Sequence, residues 1–193
     1  MIRVATEKDA ERLLEIYEYY IRNTAITFEC IVPTVEQFRQ RIENTLKKYP
    51  YLVAEQDGEI IGYAYAGPLN VRQAFDWSVE CSIYVAHDKR GGGLGNKLYT
   101  ALENALALQN IINLSACIAY PEVEDEYLTR NSVGYHSHFG YTMVGEFHKC
   151  GYKFGRWYGM VWMEKHIAAH TEPKPFRVFD DVRPELFERY GIK

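Results

Sequence analysis

The chain has 193 residues, 47% of them hydrophobic, which is enough for one buried core and short for two full domains. Its formal net charge is −4 and it carries no basic block, which argues against nucleic acid or an anionic membrane surface as a partner. No apolar run approaches the ~18 residues that cross a bilayer, and the polar start Met-Ile-Arg-Val-Ala-Thr-Glu does not read as a signal peptide.

Residues 2–5 read as a short first strand. Thr6 and Asp9 then form a capping-box-like start, followed by Leu13, Leu14, Tyr17, Tyr20 and Ile21 at helical spacing. A second box, Thr34 and Gln37, opens a helix with the apolar stripe Phe38, Ile42 and Leu46, and Pro50 marks its end region. The period then changes. Residues 51–56, the Asp57-Gly58 turn and residues 59–66 predict a β-hairpin, and a strand follows over 79–85. After a glycine-rich stretch, Leu94, Leu98, Leu102, Ala105 and Leu106 mark a long helix. Residues 113–120 form the next strand, and an acidic loop leads to a short helix near 132–139. Two last strands are expected over 141–149 and 157–165.

The fold class is therefore α/β in mixed form: a mixed sheet flanked by helices, with a strand, glycine loop and helix at its centre. Residues 1–166 are expected to form one domain. Residues 167–193, with Pro173, Pro175, Pro184 and mixed charge, read as a tail packed on the surface, ending in a short helix over 184–190.

The four cysteines, Cys30, Cys81, Cys117 and Cys150, form no C-x-x-C pair, so no metal is expected. With no export signal they read as reduced thiols in a cytoplasmic protein.

The central motif is Arg90-Gly91-Gly92-Gly93-Leu94-Gly95-Asn96, between a strand and a helix. Glycines let a backbone approach a ligand closely, and the first N–H groups of a helix are unpaired and favour a pyrophosphate. The glycines alone fit a flexible turn with a glycine cap equally well. Neither G-x-x-x-x-G-K-[ST] nor G-x-G-x-x-G is met, which leaves R-x-x-G-x-G from Arg90, Gly93 and Gly95.

That loop, preceded by Ser82-Ile83-Tyr84-Val85, resembles the acetyl-CoA-binding signature of the GNAT acetyltransferases. More narrowly, three stretches resemble the phosphinothricin and methionine sulfone or sulfoximine acetyltransferases. They are Arg72-x-Ala74-Phe75-Asp76-Trp77-Ser78-Val79-Glu80, Ser132-x-x-x-His136-x-x-x-Gly140-Tyr141 and Gly151-Tyr152-Lys153-Phe154-Gly155-Arg156-Trp157-Tyr158. The resemblance covers residues 1–165. It implies a GNAT-like fold with a twisted, largely antiparallel sheet in which two adjacent strands splay. It further implies acetyl-CoA as co-substrate, a small amine as the acceptor, and a homodimer. Ile83, Tyr84 and Val85 would offer a strand edge to the pantetheine arm. Arg90, Gly91, Gly92, Gly93, Leu94, Gly95 and Asn96 would hold the pyrophosphate, with Asn131 as a further cofactor contact.

Acetyl transfer needs a neutral amine, a stabilised oxyanion and a proton for the departing thiolate. Glu80 is the candidate base, in need of burial or a water relay because an ordinary carboxylate is too acidic for the task. His136, four residues before Gly140, is the candidate proton donor. Arg72 fits a substrate carboxylate or an oxidised sulfur or phosphorus group, with Phe28, Glu29 and Trp77 as further substrate-side residues. Cys81 as a nucleophile would imply a ping-pong route, but strand alternation turns it away from Glu80, so direct transfer is expected. A non-catalytic acyl-CoA sensor and an acetyltransferase of protein amines are the competing readings.

Overall fold

The computed structural model describes residues 1–89 and 91–193. Seven strands form one sheet in the order β1-β2-β3-β4-β5-β7-β6. These are β1 (Ile2–Val4), β2 (Tyr51–Gln56), β3 (Glu59–Pro68), β4 (Ser78–Val85), β5 (Asn113–Tyr120), β6 (Thr142–Lys153) and β7 (Arg156–His166). Every neighbouring pair is antiparallel except β4 and β5, which run parallel. The helices are α1 (Ala10–Asn23), α2 (Val35–Leu46), α3 (Leu94–Leu108), α4 (Asn131–His138) and α5 (Phe179–Tyr190).

Local signals explain most boundaries. Thr34 Oγ1 accepts from the Gln37 amide at 3.1 Å and Gln37 Oε1 accepts from the Thr34 amide at 2.8 Å, which closes the capping box of α2. Asp9 accepts from the Thr6 amide at 2.7 Å and so caps a 3-10 turn over Glu7–Asp9 that leads into α1. Asp57 and Gly58 both take positive φ, 52° and 80°, as a tight hairpin turn requires.

Strand alternation sorts the core into two layers. Leu52, Ala54, Ala64, Ala66, Val79 and Cys81 face α3 and α5. Tyr51, Val53, Tyr63 and Tyr84 face α1 and α2, where Tyr17, Phe38 and Ile42 meet them.

Two boundaries differ from the sequence expectation. Strand β6 runs on to Lys153 because two register shifts, at Met143/Gly145 and Phe147/Gly151, absorb the irregular spacing that seemed to end it at Lys149. The larger correction concerns the C-terminus. Residues 167–193 are not a surface tail. Phe179, Val182 and Leu186 are fully buried in the same cluster as Leu102 and Leu106 of α3. Helix α5 starts at Phe179, so Pro184 lies inside it rather than at its start. The prolines and charges drew attention from an apolar stripe at positions 179, 182 and 186, which is a helical period. The segments on both sides of α5 are fastened as well. Gln109 Nε2 donates to the carbonyls of Lys48 (2.7 Å) and Arg177 (2.8 Å), and the Val4 amide donates to the Lys193 carbonyl at 2.6 Å.

Candidate active site

The sheet opens at its centre. Strands β4 and β5 pair only over Ser78↔Asn113, Val79↔Leu114 and Glu80↔Ser115. Beyond Glu80, β4 stays with β3 as far as Val85↔Gly62, and β5 stays with β7 as far as Tyr120↔Gly159. The two strands therefore form a fork, and among the described residues no strand lies beside the β4 edge beyond Glu80. A side-chain bond from Asn113 Nδ2 to Ser78 Oγ, 2.9 Å, closes the vertex.

Glu80 stands at this vertex, half-buried on the face opposite Cys81. Burial pushes its carboxyl above the ordinary carboxylate range, and among the described residues no cation pairs with it. Cys81 lies in the layer facing α3, its thiol pushed up to about 12 by burial, so it stays protonated at neutral pH.

Inside the fork lies a narrow slot of about 70 Å³, walled in part by Ser82, Ile83, Tyr99, Cys117 and His136. Farther out, a cleft of about 460 Å³ is bounded by Ile83 and Val85 on one side, the start of α3 on another, and Asn131, Ser132 and Tyr135 of α4 on a third. His136 lines both spaces.

The start of α3 is a glycine-lined turn open to the cleft. Gly91, Gly92 and Gly93 take φ of 97°, 61° and 75°, a run that side chains with a Cβ rarely adopt. With open space at each of the three positions, this run lets a ligand approach the backbone closely where α3 begins. Gly95 serves a different purpose. A Cβ there would stand 2.9 Å from Tyr135 Oη, so the missing side chain makes room for the Tyr135 ring at the cleft. Tyr135 Oη is buried and has no hydrogen-bond partner among the described residues. An orphaned hydroxyl beside a backbone cradle fits the polar arm of a nucleotide thioester. Arg90, expected to contact the pyrophosphate, lies outside the described residues.

His136 is 4% exposed and tied at both ring nitrogens. Nδ1 is 2.7 Å from the Ser132 carbonyl and Nε2 is 2.8 Å from Tyr99 Oη. Burial pushes the imidazole below its ordinary value, so it rests neutral.

The substrate-side expectations divide. Phe28 and Glu29 lie on the α1–α2 loop, whose Ile26 lines the slot, and Phe28 belongs to a small cluster with Leu128 and Tyr158. Both Glu29 oxygens are held by Arg41, at 2.7 and 3.2 Å. Arg72 and Trp77 are elsewhere. Arg72 is exposed before a 3-10 turn over Gln73–Phe75 and lines neither the slot nor the cleft. The Trp77 indole N–H donates to the Lys174 carbonyl at 2.7 Å, so the C-terminal segment claims it. Sequence reasoning missed Tyr99 and Tyr135. Each had a signal in helical spacing: Tyr99 is four residues after Gly95, and Tyr135 four after Asn131, on the same helix faces.

Among the described residues no group of three or more His, Cys, Asp or Glu is placed to hold a metal ion, and no helix is long and apolar enough to cross a membrane.

Comparison with known proteins gives the family. The family described as "Acetyltransferase (GNAT) domain" matches residues 2–162. The chain is similar to a phosphinothricin N-acetyltransferase of Streptomyces viridochromogenes, 34% identical over 91% of this chain and 92% of that protein. Among solved structures it resembles a GNAT superfamily phosphinothricin acetyltransferase from Sinorhizobium meliloti in complex with AcCoA. That likeness has a TM-score of 0.82 and 29% identity, covering 94% of this chain and 96% of that one. It also resembles a ribosomal-protein-alanine N-acetyltransferase from Brucella melitensis, with a TM-score of 0.79 and 33% identity, covering 86% and 99%. The chain belongs to the GNAT family of acetyltransferases.

Proposed function

We propose that this protein transfers the acetyl group of acetyl-CoA directly to the primary amine of a small amino-acid-like substrate of the phosphinothricin or methionine sulfone type. The observation that carries the reading is the β4–β5 fork, with a half-buried carboxylate, Glu80, at its vertex and a glycine-lined helix N-terminus at its mouth.

In this reading Gly91–Asn96 take the pyrophosphate, the free β4 edge at Ile83–Val85 pairs with the pantetheine amides, and Tyr135 Oη and Asn131 supply side-chain contacts. Acetyl-CoA supplies an acetyl group activated as a thioester. Glu80 takes the proton that the substrate ammonium must shed, directly or through a water, and its raised pKa suits that task. As the new N–C bond forms and the C–S bond breaks, the His136–Tyr99 pair returns a proton to sulfur. Neutral His136 cannot do this alone, because its Nε2 has no hydrogen; the Tyr99 hydroxyl, turning from Nε2 to the slot, gives its proton to sulfur, and the proton that the nitrogen sheds on forming the amide restores it.

Among the described residues that line the slot and the cleft there is no Arg or Lys to pair with a substrate anion, and Arg72 is exposed with no side-chain partner among the described residues. A homodimer brings the two together in this reading, with Arg72 reaching the site of the other copy. The β6–β7 arm carries the apolar surface for it, with Val144, Phe147 and Trp157 59%, 56% and 60% exposed. A cytoplasmic location belongs to the same reading and agrees with the four free thiols.

A second reading, acetylation of a protein N-terminus, draws on the likeness to the Brucella protein. Amine-dependent release of CoA decides between them, screened over amino acids, their sulfone, sulfoximine and phosphinate analogues, and peptides beginning with alanine. Turnover of the free analogues supports the proposal, and turnover of the peptides alone overturns it.

A further inference from the structure

The loop between α1 and α2 carries Phe28 toward the fork, and what holds that loop is a pair of residues at the end of β6. Gly151 has an ordinary, negative-φ backbone, so conformation alone does not call for glycine. Space does. A Cβ at Gly151 would stand 2.5, 2.7 and 2.8 Å from three ring carbons of Phe28, distances that real contacts do not show. The Phe28 ring therefore lies directly on the β6 backbone.

Two residues along, Lys153 is 5% exposed, and its ammonium donates to the Thr27 carbonyl at 2.7 Å. No carboxylate pairs with it among the described residues, so its ammonium is met by the Thr27 carbonyl and by the Phe154 ring, 5.2 Å away, in place of a counterion. Thr27 is further held through its hydroxyl, 2.7 Å from Tyr17 Oη, and Glu29 is held by Arg41. Both neighbours of Phe28 are thus anchored while its ring rests on Gly151. The ring packs against the small cluster of Ala25, Leu128 and Tyr158, as do Ile26 and Ala119, and Leu128, Ile26 and Ala119 wall the slot.

We infer that Gly151 is a specificity-determining residue of the amine site: by leaving no side chain under Phe28 it sets how much room the ring concedes to the substrate, with Lys153 as the residue that positions the loop. This rests on the acetyltransfer reading above. A methyl group at Gly151 must lift the ring away from β6, toward the space where the substrate side chain enters. Long side chains then lose more than short ones, and acetyl-CoA, held at the other end of the fork, loses nothing.

The test is steady-state kinetics of wild type, Gly151→Ala, Phe28→Ala, the double variant and Lys153→Met, with methionine sulfone and alanine as amines. A misplacement of about 1 Å costs up to about 10²-fold, so the KM for methionine sulfone in Gly151→Ala is expected to rise about tenfold. The KM for acetyl-CoA stays unchanged and alanine is affected less. In the Phe28→Ala background the Gly151→Ala change adds no further loss, because the clash is gone. If Gly151→Ala does not fold, the same selective rise in amine KM in Lys153→Met carries the test. An active wild type whose amine KM is the same in both variants, or equal losses with and without Phe28, overturns the inference alone. A wild type that acetylates neither amine nor any other free amino acid overturns the acetyltransfer reading and the inference with it.

Discussion

Tyr99 Oη lies 2.8 Å from His136 Nε2, while the Ser132 carbonyl lies 2.7 Å from Nδ1 of the same ring. A carbonyl only accepts, so Nδ1 carries the hydrogen and Nε2 is the acceptor of the Tyr99 hydroxyl. Burial holds the imidazole below its ordinary value of 6.5, so it is neutral at physiological pH. The unfolded chain takes up that proton first, and stability is expected to fall as the pH drops below about 6.5. Nitrogen-resolved NMR of the free protein should show a single Nδ1–H tautomer. Tyr99→Phe should shift the Nε2 resonance toward that of an unbonded nitrogen. The same variant should lower kcat by about 10²-fold, at the lower end of general-acid effects. An acetyl donor with a more acidic thiol should recover most of that loss. A donor-independent loss would return Tyr99 to a packing role.

Glu80 gives a paired prediction. Its raised pKa means that the folded protein binds the proton more tightly than the unfolded chain does, so the carboxylate opposes folding as the pH rises above 4.5. Glu80→Gln is therefore expected to keep or slightly raise Tm at neutral pH while kcat falls by about 10²–10⁴-fold. The acid limb of the pH–rate profile should flatten in the variant. Near-normal turnover would remove Glu80 from the chemistry.

At the mouth of the cleft, Gly95 and Tyr135 act together, because a Cβ at Gly95 would meet Tyr135 Oη at 2.9 Å. Gly95→Val should displace that ring and weaken acetyl-CoA binding, measured by calorimetry, by at least ~10-fold, as misplaced contacts do. Tyr135→Phe keeps the ring and removes one hydrogen bond, worth about 0.5–1.5 kcal/mol, or roughly 2–12-fold in Kd. Unchanged affinity in both variants would take the cofactor out of this cleft.

The C-terminal helix is part of the core, so its apolar stripe is expected to matter as much as any central residue. Leu186 is fully buried in the main cluster, and Leu186→Ala should destabilise the protein by about 2–5 kcal/mol in denaturant unfolding. A change within experimental error would place the helix outside the cooperative unit.

Most of the fold was legible because its signals are local. The Thr34–Gln37 box, the Asp57-Gly58 turn and the 3.6-residue stripe of α3 each report on their own neighbourhood. The placement of Glu80 on a strand, and of Gly93 and Gly95 at the start of the following helix, was legible for a similar reason, since a short motif fixes strand, loop and helix together. Helix α5 was hidden behind its prolines, although its stripe at 179, 182 and 186 is as regular as the others. The partners of the site were not legible. That Tyr99 meets His136 across 37 residues, or that Gly151 lies under Phe28, depends on how distant segments pack, and no spacing within either segment states it. Arg72 is close to Glu80 in sequence, yet in one copy it lines neither the slot nor the cleft, and no spacing along the chain states that separation.

The most direct measurement is kcat/KM for amine-dependent release of CoA, with methionine sulfone or phosphinothricin as free acids against a peptide beginning with alanine, and the acetylated product identified by mass spectrometry. The account predicts acetylation of the free analogue at its α-amine, with kcat/KM at least ~10-fold above the peptide, the scale expected from one buried charged hydrogen bond to the substrate anion. A protein that acetylates the peptide as well as or better than the free analogue, or releases CoA at the same rate with no amine present, contradicts it.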